Sequence, residues 1–158
     1  MLAVLVLVVL AAAVPQPAAP SIDSKELAEY RLTRPVFQRF QRATRLILTA
    51  TRADPRFATA PLFTKEIAVS GDAPAMAAAL QQRLEREPAL AGALFAADLD
   101  AREYTKFALA LFAARLAHGF IKSGVLRRVP PGPPSDNVAF IETHRPEILA
   151  LLKEMGVE

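Results

Sequence analysis

The chain of 158 residues contains no cysteine, which excludes a disulfide, a thiolate nucleophile, a Cys-ligated zinc or iron–sulfur site and a lipid-modified cysteine. It has no tryptophan and only two histidines, so it is poor in the strongest stacking ring and in the commonest metal ligand. Its six glycines build no phosphate-cradling loop, and neither a G-x-S-x-G elbow nor an H-E-x-x-H helix is present. A formal net charge of +3 is too mild to imply a nucleic-acid partner, and none is expected. These shortages give enzyme status little support, and no catalytic residue, metal or cofactor is assigned. For this length a single domain is the natural organisation.

What the chain has in plenty is alanine, leucine and proline, unevenly distributed. Met1 to Val14 is apolar without exception. Leu2 to Val14 has the make-up of the hydrophobic region of a secretory signal, followed by Ala11 and Ala13 in an A-x-A arrangement and by the Pro-rich stretch Pro15 to Pro20. As a helix this run spans roughly 20 Å, short of the ~30 Å hydrocarbon layer, which favours a cleaved signal over a membrane span. No basic side chain precedes it. Residues 1–19 are read as a signal peptide with its cleavage region, residues 20–158 as the domain, and the expected location is periplasmic or extracellular.

The body shows no repeat and no sustained Val/Ile/Thr alternation, while proline punctuates Ala- and Leu-rich stretches. The expected class is all-α: a single-domain orthogonal bundle of about five to seven helices around a central buried helix at about 101–122. Asp23 with Glu26 forms a capping box for a short helix from Ser24 to about Arg31. Thr33 or Arg34 caps a second helix, opened by Pro35 and stopped at Asp54-Pro55. Pro55 to Val69 has no clear period and reads as an irregular crossing segment. Asp72 with Pro74 starts a third helix ending at Glu87-Pro88, and Pro88 opens a fourth with Leu90, Leu94 and Phe95 inward. Asp100 with Glu103 is the best capping box, with Leu99 and Tyr104 placed as a hydrophobic staple, and Ser123-Gly124 ends the helix they announce. That helix is apolar nearly all round and should be the most buried. Residues 129–136 form a stiff Pro-rich connector, followed by helical pieces from Ser135 to Thr143 and from Arg145 to Met155, with Gly156 as a C-terminal cap.

Tyr30-Arg31-Leu32-Thr33 before a helix, Leu99 with Arg102-Glu103-Tyr104 at the head of a long one, and Asn137-Val138-Ala139-Phe140 followed by His144 carry a resemblance. In these motifs the chain resembles a group of small, signal-bearing, all-helical proteins of unknown function from environmental bacteria. The resemblance implies export and an all-α fold and transfers no catalytic or binding residue. The leader and the Pro-rich connector depart from the pattern.

The second helix is cationic and amphipathic. Val36, Phe37, Phe40, Ala43, Thr44, Ile47 and Thr51 share one stripe, and Arg34, Arg42, Arg45 and Arg52 lie opposite. Guanidinium groups in such a row bind phosphate or anionic headgroups; the plainer reading is a solvated face pairing with Glu26, Glu29, Glu85 or Glu87. His118 shares a helical face with Phe107, Leu111 and Ile121, so a core imidazole is the default and a carboxylate beside it would argue for chemistry. His144 and Glu147 stand three apart, with Glu142 near in sequence and Pro146 between. A polar site built from His118, His144 and Glu147 is the competing enzyme or metal reading. The functional expectation is an exported, non-enzymatic interaction or ligand-binding module, with an envelope protein or an anionic membrane surface as partner. The alternatives are a peripheral membrane protein using the Arg-rich helix, or a small hydrolase or metal-dependent enzyme using His118 and His144.

Overall fold

Every helix start that a capping residue and a proline mark in the sequence is realised in the structure, a computed structural model that describes residues 22–54, 56 and 72–156. The signal-peptide reading of residues 1–19 and, apart from Arg56, the irregular segment expected at 55–69 lie outside the described residues. The described chain is all-helical, in the order α1 (Ser24–Glu29), α2 (Arg34–Ala53), α3 (Ala73–Arg86), α4 (Pro88–Ala96), α5 (Ala101–Lys122), α6 (Pro133–Thr143) and α7 (Arg145–Glu154). None of these helices is long and apolar enough to cross a membrane.

The caps explain the boundaries. The Asp23 carboxylate accepts from the Glu26 amide at 2.7 Å, Asp72 from Ala75 at 3.2 Å and Asp100 from Glu103 at 2.6 Å, each satisfying an amide that the first helical turn cannot. Gly124 and Gly156 follow α5 and α7 with φ of 77° and 72°, the left-handed conformation that closes a helix at no Cβ cost. Between α4 and α5 the same role falls to Asp98, with φ 55°. Its amide and that of Leu99 donate to Phe95 and Leu94 carbonyls at 3.1 Å each, and its own carbonyl receives Arg39 Nη1 at 3.1 Å.

Three local expectations are corrected by tertiary contacts. α1 ends at Glu29 rather than near Arg31, because Asn137 of α6 takes the backbone of the following turn. Its amide nitrogen donates to the Tyr30 carbonyl at 2.9 Å, and its oxygen accepts from Leu32 N–H at 2.8 Å. α6 begins at Pro133, inside the expected extended connector, because two prolines in a first turn sacrifice no donor the helix needs. Phe95 does not point inward: it is 87% exposed while Leu90, Ala93, Leu94 and Ala97 are buried, since a short helix on the surface buries one stripe and Phe95 lies about 100° round from Leu94.

α5 packs on α6 and α3, and α2 crosses α4. Their common core is aromatic. The Phe40 ring stands 4.7 Å from both Tyr104 and Phe107, and Phe37 lies 6.0 Å from Phe107 and 5.6 Å, edge-on, from Phe140. Phe37, Phe40, Tyr104 and Phe107 are at most 1% exposed, and each contributes about 1.5–3 kcal/mol of burial. The expectation of a central α5 holds from Ala101 to Ala114. Beyond Ala114 no α5 side chain is fully buried, and Leu116 and Phe120 remain 42% and 46% exposed.

Candidate functional site

The arginine row on α2 is exposed, opposite the buried Phe37, Phe40, Ala43, Thr44 and Ile47, as 3.6-residue spacing requires. Arg34 and Arg45 reach across to α7. Arg34 Nη1 donates to both Glu147 carboxylate oxygens at 2.6 and 2.7 Å and lies 3.0 Å from His144 Nδ1. Arg45 forks onto Glu154 through Nε and Nη2 at 2.9 and 3.1 Å, and Arg52 donates to the Glu154 carbonyl at 3.1 Å. Arg42 forms no ion pair among the described residues. Arg34 holds the Glu147 carboxyl below its ordinary range, and Arg45 does the same for Glu154. These partners differ from the glutamates expected from sequence, because nothing local shows that α7 lies beside α2.

The two histidines stand in separate carboxylate contacts. His118 Nε2 lies 3.4 Å from Glu142 Oε1, without the alignment of a hydrogen bond, and this nitrogen is buried with no hydrogen-bond partner. His144 Nδ1 lies 3.6 Å from Glu147 Oε1, which Arg34 already engages. The His144 ring also sits 4.4 Å from Phe140. Glu147 therefore joins His144 and Arg34. Among the described residues no group of three or more His, Asp or Glu side chains is arranged to hold a metal ion.

A second polar cluster, unmarked by any motif, fastens α1 to α5. Tyr30 Oη donates to Glu103 at 2.6 Å, while Lys106 Nζ lies 3.0 Å from Glu103 and 3.3 Å from Glu26, and Arg102 also bonds Glu26. Burial first, and then the Glu103 bond, push the Tyr30 phenol above its usual value. Burial alone does so for Tyr104, whose hydroxyl pairs with Thr44 at 3.0 Å. The i, i+3 spacing of Glu103 and Lys106 was a sequence signal for part of this cluster; the α1 side was not legible.

The feature that residue-by-residue reasoning missed lies at the far end of α5. Leu116 and Phe120, one helical turn apart, are followed by Val125 and Leu126, which are 70% and 38% exposed. Ser123 and Gly124 turn the chain, and the Leu126 amide donates back to the Phe120 carbonyl at 3.0 Å, so both pairs belong to one end of the helix. Lys122, Arg127 and Arg128 are exposed around them and Arg115 is half-buried. None of these four cations forms an ion pair among the described residues. The signal was in the sequence as an omission: no acidic residue occurs between Glu103 and Asp136. Among the described residues, Glu142 is the carboxylate that stands against this part of α5, beside His118.

Compared with protein-family models, with curated proteins and with solved structures, the chain matches no family, no protein and no structure.

Proposed function

We propose that this protein is a non-enzymatic binding module that engages a macromolecular partner through the end of α5, and that residues 1–19 direct it out of the cytoplasm before it does so. The observation that carries the reading is a group of exposed apolar side chains, Leu116, Phe120, Val125 and Leu126, standing near cations that have no acidic partner among the described residues. Contiguous exposed apolar surface rimmed by polar groups is what contact sites leave on a free protein. The α2 arginines offer less, since Arg34, Arg45 and Arg52 already donate to α7. Export is supported by the apolar run and the A-x-A residues near its end, and by the resemblance to small exported helical proteins.

The test uses the whole chain in a bacterial host. A photo-reactive amino acid is placed at Phe120 in one variant and at Ala139, on the exposed side of α6, in another. Cross-linking to a protein or lipid from position 120 but not from 139 is the expected result. No adduct from either, or equal adducts from both, overturns the reading. Intact mass and cell fractionation test export separately: loss of the leader and recovery outside the cytoplasm are expected, and full-length cytosolic protein refutes it.

A further inference from the structure

Resting on the binding-module reading, we propose that the partner of the α5 end is an anionic lipid surface, into which Leu116, Phe120, Val125 and Leu126 insert while Lys122, Arg127 and Arg128 meet the headgroup phosphates. From Tyr104 to Ser135 the chain carries Lys106, Arg115, Lys122, Arg127 and Arg128 and no acid, and the last four form no ion pair among the described residues. An anionic surface supplies the missing counter-charge, and guanidinium groups bind phosphate in bidentate fashion.

Shape then favours a broad surface over a small ligand, whose site is concave and lined by side chains from several elements. Here the apolar groups sit on the last turns of one helix and the turn that follows, beyond the last fully buried α5 residue, Ala114. From Arg115 to Lys122 this is roughly 12 Å of helix, and, apart from their chain neighbours and the helix's own backbone, nothing lies within 4 Å of where a Cβ on Gly119 or Gly124 would be. An open helix end carrying Phe, Leu and Val beside Lys and Arg matches shallow insertion, in which apolar groups enter about 5–10 Å and cations stay at headgroup level. No helix among the described residues can span a bilayer, so contact through this end is peripheral and reversible.

The experiment is co-sedimentation of the full chain with vesicles of pure phosphatidylcholine and of phosphatidylcholine containing about a third phosphatidylglycerol. Binding to the anionic vesicles only, weakened at about 0.5 M salt where the screening length falls to ~4 Å, is expected. Val125→Asp, at an exposed position outside any helix, should lower the bound fraction. The triple variant Lys122→Glu, Arg127→Glu, Arg128→Glu should lower partitioning by at least roughly a hundredfold, at about fivefold per lost cation, with the repulsion of three added carboxylates on top. Arg42→Glu, on the exposed α2 face, should leave binding unchanged. Three results overturn the proposal: no binding to anionic vesicles; binding that survives both end variants, which would assign it to the apolar residues 2–14; or loss on Arg42→Glu instead. Self-association in sedimentation equilibrium that Val125→Asp abolishes also overturns it and assigns the surface to a second copy. Protein adducts from position 120 without vesicle binding would refute the lipid proposal while leaving the binding-module reading intact.

Discussion

Replacing Asn137 by alanine should be among the most damaging single changes outside the aromatic core. The side chain is 7% exposed and bonds both the Tyr30 carbonyl and the Leu32 amide. It thereby sets where α1 stops and at what angle the chain enters α2. Two bonds of about 1 kcal/mol each are lost, and the Leu32 N–H, on a residue 7% exposed, is left without its acceptor, which costs about 1–3 kcal/mol more. The expected loss is about 3–5 kcal/mol. With a urea dependence of about 1.5 kcal/mol/M, the unfolding midpoint falls by roughly 2–3 M at unchanged slope. Asn137→Asp keeps an acceptor for Leu32 but cannot donate to Tyr30, and should fall between the two. Equilibrium urea unfolding followed by far-UV circular dichroism is the assay. A loss under about 1 kcal/mol for Asn137→Ala, or an aspartate variant as stable as wild type, would refute the claim that this side chain holds the turn.

Four further outcomes follow from the same geometry. Thr105 is fully buried and its hydroxyl has no hydrogen-bond partner, so the near-isosteric Thr105→Val should stabilise by about 1 kcal/mol in the same urea assay; destabilisation would mean the hydroxyl is satisfied in solution. Asp98 occupies the left-handed region, and Asp98→Gly should leave stability within about 0.5 kcal/mol of wild type while Asp98→Val lowers it by more than 1 kcal/mol. Both tyrosines, the only two in the chain, have raised pKa values in the folded state; their contribution is complete below the unfolded value near 10 and is lost as pH rises above it. Phenolate absorbance should therefore appear only together with alkaline unfolding, and titration of either ring in folded protein would contradict the burial described. For Glu147 and Glu154 the sign is opposite: their folded values are lowered, so their contribution is present above the ordinary value of 4.5 and fades as pH falls below it. Arg34→Gln with Arg45→Gln should flatten that acid-side decline, and an unchanged pH profile would show that the exposed pairs add nothing to stability.

The helices were legible in the sequence because each rests on interactions within one turn. Asp23, Asp72 and Asp100 announce their helices by bonding amides three residues on, Gly124 and Gly156 end theirs by a conformation that other residues resist, and the α2 stripe follows from helical spacing alone. The all-α class, the α5 capping box and the buried face of α2 needed nothing more. The choices left to the tertiary structure concern residues whose partners are distant in the chain. Which carboxylates meet Arg34 and Arg45 depends on α7 lying beside α2, more than a hundred residues away. Where α1 stops depends on Asn137. Whether Phe95 or Phe120 is core or surface depends on how many neighbours each helix acquires, because an apolar residue reads the same in sequence whether or not something covers it. The candidate site divides the same way: its charge was written in the omission of acids from 104 to 135, while its apolar half became visible only once α5 was seen to bury no side chain fully after Ala114. Local hydrogen bonds and periodicity are encoded over a few residues; burial and ion pairing are properties of surfaces that meet only when the chain has folded.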